Sequence, residues 1–374
     1  MTARDGAPAR REVWAIVSVA VALRVAVFCC VVLGWQVSVR EYASKGDGES
    51  YLAMAGAMGG ERGYGELKEY DRRVFPGYPA IIAAVHRGGM PLEWAALIIT
   101  WISAGVAAGV GALVFSERRV GWGMTILIPH FLINSSMAMS EGPLLALTVC
   151  GLWAGMNAAK SGEKAGWLML VLAGVLLGCA GLVRPMACFA VAGLVLWGWR
   201  KGMGPRVWIA PLAAAAVVLA GVAAMHCWTG DALQGVRVYR DNAGAYAGHM
   251  LQWPMHALLA TPFHEQVGWG KLVHIWAHVV AALGACGALV VQWARRRKEA
   301  DPLVALALPW LAGNTLFELC VGSPWGFRHF PRFMLPALPA FLWAGRSVLV
   351  RRWVWIGIGA ALVVVAVFGV KASP

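Results

Sequence analysis

Eleven apolar stretches limit what this chain can fold into: residues 13–35, 93–115, 121–138, 142–158, 165–183, 186–199, 207–227, 272–293, 302–321, 333–347 and 353–370. A helix needs about 20 apolar residues to cross the hydrocarbon core of a bilayer. Every backbone N–H and C=O in lipid must be bonded within the protein, so only helices and closed barrels span it. The runs are continuous rather than alternating, which excludes a barrel. With 59% hydrophobic residues, 14% charged and 20 Trp in 374 residues, the chain lies outside the range of soluble domains. The expectation is an all-α, polytopic membrane bundle of about 11 spans forming a single domain over 1–374. The sequence shows no internal repeat, low-complexity tract or soluble-domain boundary.

The basic residues give the orientation, because Lys and Arg gather in short cytoplasmic loops. With Arg10–Arg11 cytoplasmic, every second connection is basic: Arg118–Arg119, Lys160 with Lys164, Arg200–Lys201, Arg295 to Lys298, and Arg346 with Arg351–Arg352. Orientation thus accounts for most of the formal net charge of +13, and no nucleic-acid partner is read into it. The segments 36–92 and 228–271, the turn at Arg184 and the loop 322–332 then share the extracytoplasmic face. The first span reads as a retained anchor rather than a cleaved signal peptide. The 8 cysteines lie in or beside apolar spans with no CxxC pair, as small apolar fillers do.

One segment breaks the apolar pattern: KGDGESYLAMAGAMGGERGYGELKEYDRRVFPGYP, residues 45–79. Asp47 and Glu49 sit in a turn made by Gly46 and Gly48, which can present carboxylates at the membrane surface. A short helix starts after a Ser50 cap and stops at Gly59–Gly60. A second, over 80–85, follows the PGYP turn and is too short to span. Two such juxtamembrane helices under a charged loop make a platform for a lipid headgroup. Tyr64, Tyr70 and Tyr78 suit interfacial depth.

Further polar intrusions fall on the same face. Ser140–Glu141 begins a span, where a carboxylate is costly unless it has a partner or a wet cavity; an acid in a helix's first turn is the structural alternative. Arg184–Pro185 interrupts an apolar run, and an Arg alone on this side suits a phosphate or carboxylate ligand. Arg328, His329 and Arg332 place three cations within five residues beside an expected anionic headgroup; bulk lipid attraction is the plain alternative. Asp231, Tyr239 and their aromatic neighbours in 228–271 suit sugar binding. His274 and His278, four apart, fit packing or interfacial roles better than a metal site.

The order of these landmarks resembles the GT-C superfamily of integral-membrane glycosyltransferases, as in bacterial protein O-mannosyltransferase and aminoarabinose-transferase relatives. The matching stretches are GDGESYLAMA, RVFPGYP, MSEGPLLAL, GLVRPMA and RFMLPALP. Thr229-Gly230-Asp231 followed by Trp253-Pro254 is similar to the glycosylphosphatidylinositol mannosyltransferase branch. The resemblance implies transfer of a hexose or mannose-type sugar from a polyprenyl-phosphate donor to a lipid, glycan or protein acceptor, outside the cytoplasm of a bacterial plasma membrane. It implies that Asp47 acts as general base or orients the acceptor hydroxyl, and that Arg332 and Arg184 hold the donor phosphate. The residue patterns themselves add Glu49 as the other candidate base, Arg328 and His329 at the phosphate, and Glu141, Arg73, Tyr78, Asp231 and Tyr239 as substrate contacts. Arg72, Arg73 and the PGYP turn also read as architecture for a lipid-facing cavity. Gly48 separates the two acids that many relatives carry side by side, which leaves the choice of base open. A divalent cation held by the acidic outer loops is left open as well. A transporter or flippase of lipid-linked saccharides is the competing class; it calls for discontinuous spans at matching positions of two halves, a symmetry the sequence does not show. A non-catalytic scaffold would tolerate loss of Asp47 and Glu49.

Overall fold

The computed structural model describes residues 8–231, 233, 235–238, 240–241, 269–295, 301–321 and 330–346. In chain order the helices are α1 (Arg10–Trp35), α2 (Val39–Ala43), α3 (Gly48–Gly59), α4 (Gly77–Arg87), α5 (Leu92–Val114), α6 (Arg118–Trp122), α7 (Pro129–Asn134), α8 (Glu141–Ala158), α9 (Glu163–Val183), α10 (Ala187–Arg200), α11 (Ile209–Thr229), α12 (Trp269–Arg295), α13 (Pro302–Cys320), α14 (Phe330–Phe333) and α15 (Leu338–Ala344). Six stretches among the described residues are long and apolar enough to cross a membrane: α1, α5, α9, Gly204–Thr229, Leu272–Ala294 and α13.

Two expected spans are broken. Residues 121–138 become the end of α6, a wide turn over Gly123–Leu127, α7 and an irregular stretch. Residues 333–347 become a short turn over Leu335–Ala337 and then α15. Proline explains the breaks, because it has no N–H to give and clashes with the preceding turn. Pro129, Pro336 and Pro339 each sit at the start of a new piece, where the lost N–H costs nothing. Such backbone is tolerated at membrane depth where protein surrounds it, and Phe131, Leu335 and Leu338 are buried. The run 353–370 lies outside the described residues.

Helices in lipid associate by close packing of small residues rather than by expelling water. A Cβ on Gly109 of α5 would lie 2.6 Å from Val17 Cγ2 of α1, and one on Gly178 of α9 would lie 2.8 Å from the Ala214 carbonyl of α11. Among the described residues, those flanking the Lys/Arg-rich connections meet at one end of the bundle. There Trp122 reaches Glu12 (3.4 Å), Arg206 bonds Glu163 (2.7 Å) and Arg200 covers the Trp293 ring (4.6 Å). None of the cysteines is in a disulfide, and Cys30, Cys188 and Cys227 are exposed rather than buried.

At the other end a buried apolar cluster that includes Phe28, Tyr42, Tyr51, Tyr78, Trp101 and Met139 supports the loops. Buried hydrogen bonds pin the irregular stretch before α8: Arg24 to Ser135 Oγ (2.9 Å), Tyr42 with Ser136 Oγ (2.8 Å) and Trp101 Nε1 to the Ser136 carbonyl (2.8 Å). These bonds fix where Ser140 and Glu141 emerge.

Candidate active site

Asp47 is held by its neighbours in the chain. Gly46 has φ +63°, a conformation that glycine adopts freely, and its missing Cβ leaves room for Met139 Cε, which would be 2.9 Å away. Asp47 is the N-cap residue of α3, yet its side chain makes no capping bond. Helix α3 therefore starts earlier than a Ser50 cap predicts. Ser50 lies inside it and donates to Asp71 Oδ1 (2.7 Å). The freed Asp47 carboxylate turns to two arginines. Oδ1 accepts from Arg73 Nη2 (2.5 Å) and Oδ2 from Arg332 Nη2 (2.7 Å).

Arg73 ends a short turn over Glu69–Arg73 and lies 3.4 Å from the Tyr70 ring centroid. It also donates to the Tyr70 carbonyl (2.9 Å) and Ser50 Oγ (3.2 Å). Five donors in a fixed fork let one guanidinium serve several acceptors at once.

Glu141 is the first residue of α8, where the helix dipole favours a negative charge. It is 0% exposed. Its Oε1 accepts from both Arg332 Nε (2.6 Å) and Arg184 Nη2 (2.9 Å), while Oε2 is buried without a partner among the described residues. Ser140 Oγ accepts from Arg184 Nε (2.9 Å) and meets the Tyr51 hydroxyl (2.9 Å).

Arg184 caps α9 with extended backbone (φ −155°, ψ 135°), the conformation that the following Pro185 favours. The PGYP turn presses on the residues just before it. A Cβ on Gly77 would lie 2.7 Å from Leu182 C and Val183 N, so glycine permits the approach that sets Arg184. Arg332 comes from α14, the one-turn helix that leads into the broken stretch 333–347.

The result is an open ring of ion pairs, Arg73–Asp47–Arg332–Glu141–Arg184, whose two ends are Arg73 and Arg184, drawn from four separate stretches of chain. Three guanidiniums face two carboxylates, which leaves one net positive charge. Asp47 is the more open carboxylate, its side chain 26% exposed. Burial alone pushes its pKa up, but the charges of Arg332, Arg73 and Arg184 overcome this and hold it well below the ordinary carboxylate value. Burial pushes the Arg332 pKa down, and the Glu141 and Asp47 carboxylates reverse that, leaving it above its usual value.

Asp47, Arg73, Glu141, Arg184 and Arg332 are therefore brought together at one place. Glu49 does not join them: its side chain is 65% exposed and faces Lys68 at 3.4 Å. Residues one and two places along a helix point in different directions, which explains why two nearly adjacent acids part. Tyr78 is buried rather than interfacial, bonding Thr100 Oγ1 (2.7 Å) and packing edge-on against Tyr51 (5.0 Å); it stands behind the ring of charges. Asp231 follows α11 and pairs with Arg237. Arg328, His329 and Tyr239 lie outside the described residues.

Sequence reasoning missed Tyr51, Ser140 Oγ and Glu318. For Glu318 the signal existed, since a carboxylate inside the apolar run 302–321 is costly enough to be suspect. A narrow apolar cleft is lined by Ile128, His278, Pro331, Met334, Leu338 and Phe341, among others, and Pro331 is the chain neighbour of Arg332. The donor set does not fit a divalent cation. Both Asp47 oxygens and Glu141 Oε1 already face N–H groups, and the three arginines would repel a cation.

The helical bundle, with the ion pairs gathered at one end, agrees with the fold that the GT-C resemblance implies. Within it, residues 93–229 match the sequence family described as dolichyl-phosphate-mannose-protein mannosyltransferase. Among solved structures the chain is similar to ArnT from Cupriavidus metallidurans bound to undecaprenyl phosphate, with a TM-score of 0.59 and 14% identity. The similarity covers 98% of this chain and 65% of that one, so the chain spans just under two thirds of the length of ArnT. No curated protein sequence matches at a significant level.

Proposed function

We propose that this protein is a membrane glycosyltransferase that moves a sugar from a polyprenyl-phosphate donor to an acceptor hydroxyl at the extracytoplasmic face. The observation that carries the reading is the convergence of Arg73, Arg184 and Arg332 on one site with a net positive charge, beside an apolar cleft. A sugar-bearing polyprenyl phosphate is a phosphodiester with one negative charge, which that excess balances. Arg332 grips the phosphate, and the prenyl chain leaves along the cleft. The basic connections at the opposite end support placing the site outside the cytoplasm.

The reaction is a single displacement at the sugar's C1. The acceptor oxygen forms a bond to C1 as the bond from C1 to the phosphate oxygen breaks, and the configuration inverts. Polyprenyl phosphate departs with the bonding pair and gains negative charge, which preplaced guanidiniums stabilise more in the transition state than in the ground state. The acceptor's proton passes to Asp47. In the resting ring Asp47 is a poor base, because both of its oxygens are occupied by guanidiniums. A bound phosphate competes for Arg73 and Arg332, loosens their hold on Asp47 and raises its basicity. The donor thus arms the base, which makes binding ordered with donor first. The family match over 93–229 supports a mannose-type sugar.

The test is transfer itself. The purified chain in lipid vesicles is given undecaprenyl phosphate carrying radiolabelled mannose or glucose, with bacterial membrane extract as acceptor. Label moving from the donor into a non-donor product is expected. Export of intact donor across the vesicle, with no bond cleaved, would instead establish a transporter.

A further inference from the structure

Glu318 lies in the last turn of α13, where the neighbouring Phe317 ring packs against Phe189 (6.4 Å), five residues beyond Arg184, and it is only 6% exposed. Its Oε2 is buried with no hydrogen-bond partner among the described residues, and no described ion pair includes it. Arg184 is close enough to act on it electrostatically, but that guanidinium is committed to Glu141 and Ser140. Four and three residues earlier on α13, buried Asn314 and Thr315 approach Met334 Sδ at 3.6 and 3.8 Å. Met334 is two residues beyond Arg332. A polar strip on α13 thus faces the segment that supplies the central arginine.

A buried carboxylate without a partner is expensive. Glu318 needs a hydrogen-bond donor. Phosphate oxygens offer only acceptors and belong on the arginines, whereas a sugar ring carries O–H or N–H donors. We propose that Glu318 is a specificity-determining residue for the transferred sugar, accepting a hydrogen bond from a ring hydroxyl or amino group while the arginines hold the phosphate. The inference rests on the polyprenyl-phosphate reading above and adds the residue that recognises the sugar.

The experiment titrates the full chain in nanodiscs with three lipids: bare undecaprenyl phosphate, its mannosyl form and its aminoarabinosyl form. The wild type is expected to bind at least one sugar-bearing lipid more tightly than the bare one. Glu318→Ala should erase that gain, about 10-fold for a sugar donor left buried and unsatisfied, and leave bare-lipid affinity within about twofold. Glu318→Gln keeps a neutral acceptor, so it should retain part of a gain due to hydroxyls and lose one due to an ammonium group. Equal weakening of all three lipids by Glu318→Ala, an intact gain, or no gain in the wild type would overturn the assignment. Failure of the wild type to bind bare undecaprenyl phosphate is a separate result, which removes the donor reading and the Glu318 proposal with it.

Discussion

Asp47→Asn should make the protein bind phosphate better and work worse. Each Asp47 oxygen holds a guanidinium, Arg73 at 2.5 Å and Arg332 at 2.7 Å. A hydrogen bond to a charged group contributes about 1.5–3 kcal/mol net. An incoming phosphate must displace or share these bonds. The asparagine amide keeps the shape but drops the charge, so at least one such bond's worth of competition disappears. About 1.5 kcal/mol corresponds to roughly tenfold in affinity. The change also removes the proton acceptor, which is worth ~10²–10⁴-fold in rate. Binding of undecaprenyl phosphate, followed by tryptophan fluorescence in nanodiscs, should therefore tighten by about tenfold. Transfer from a labelled donor should fall by at least ~10². Weaker binding in the variant would show that Asp47 does not compete with the phosphate, and undiminished transfer would show that it is not the base.

Glu49→Gln, one residue past Gly48, should leave transfer intact and change stability by less than about 0.5 kcal/mol, because the side chain is exposed and its described ion pair is with the likewise exposed Lys68; transfer assays on the two carboxylate variants separate their roles. Gly77→Ala forces a methyl into the backbone of Leu182–Val183, which costs about 1–3 kcal/mol and displaces Arg184. Its melting temperature and its affinity for undecaprenyl phosphate should both drop. The ring also predicts a pH dependence. A carboxylate whose folded pKa is depressed contributes stability that is complete above its unfolded value, near 4, and lost as pH falls through the folded value. The melting-temperature difference between wild type and Asp47→Asn should hold constant from about pH 8 to 5 and shrink below about pH 4; a difference that varies between pH 5 and 8 would contradict the ion pairing.

Much of the architecture was legible in the sequence because its cause is local. Apolar length marked the long helices, Gly59–Gly60 marked the end of α3, and stray polar residues in an apolar chain marked Asp47, Glu141, Arg184 and Arg332. Periodicity gave less where prolines interrupt it. Residues 121–138 and 333–347 have the hydropathy of spans, but Pro129, Pro336 and Pro339 divide them into pieces that only surrounding protein can accommodate. Tyr78 looked interfacial by type, yet Thr100 gives its hydroxyl a buried partner.

By itself the sequence determined that this is a helical membrane protein, which end of it is basic, and which polar residues are too expensive to be idle. Tertiary structure alone decided that Asp47 and not Glu49 faces the arginines, that Arg73 pairs with Asp47, and that Glu318 Oε2 has no partner among the described residues. The physical reason is distance along the chain. Burial cost is written in each segment's own composition, whereas the charge that offsets it comes from elsewhere: Arg332 reaches Asp47 across 285 positions, a pairing that no local pattern records.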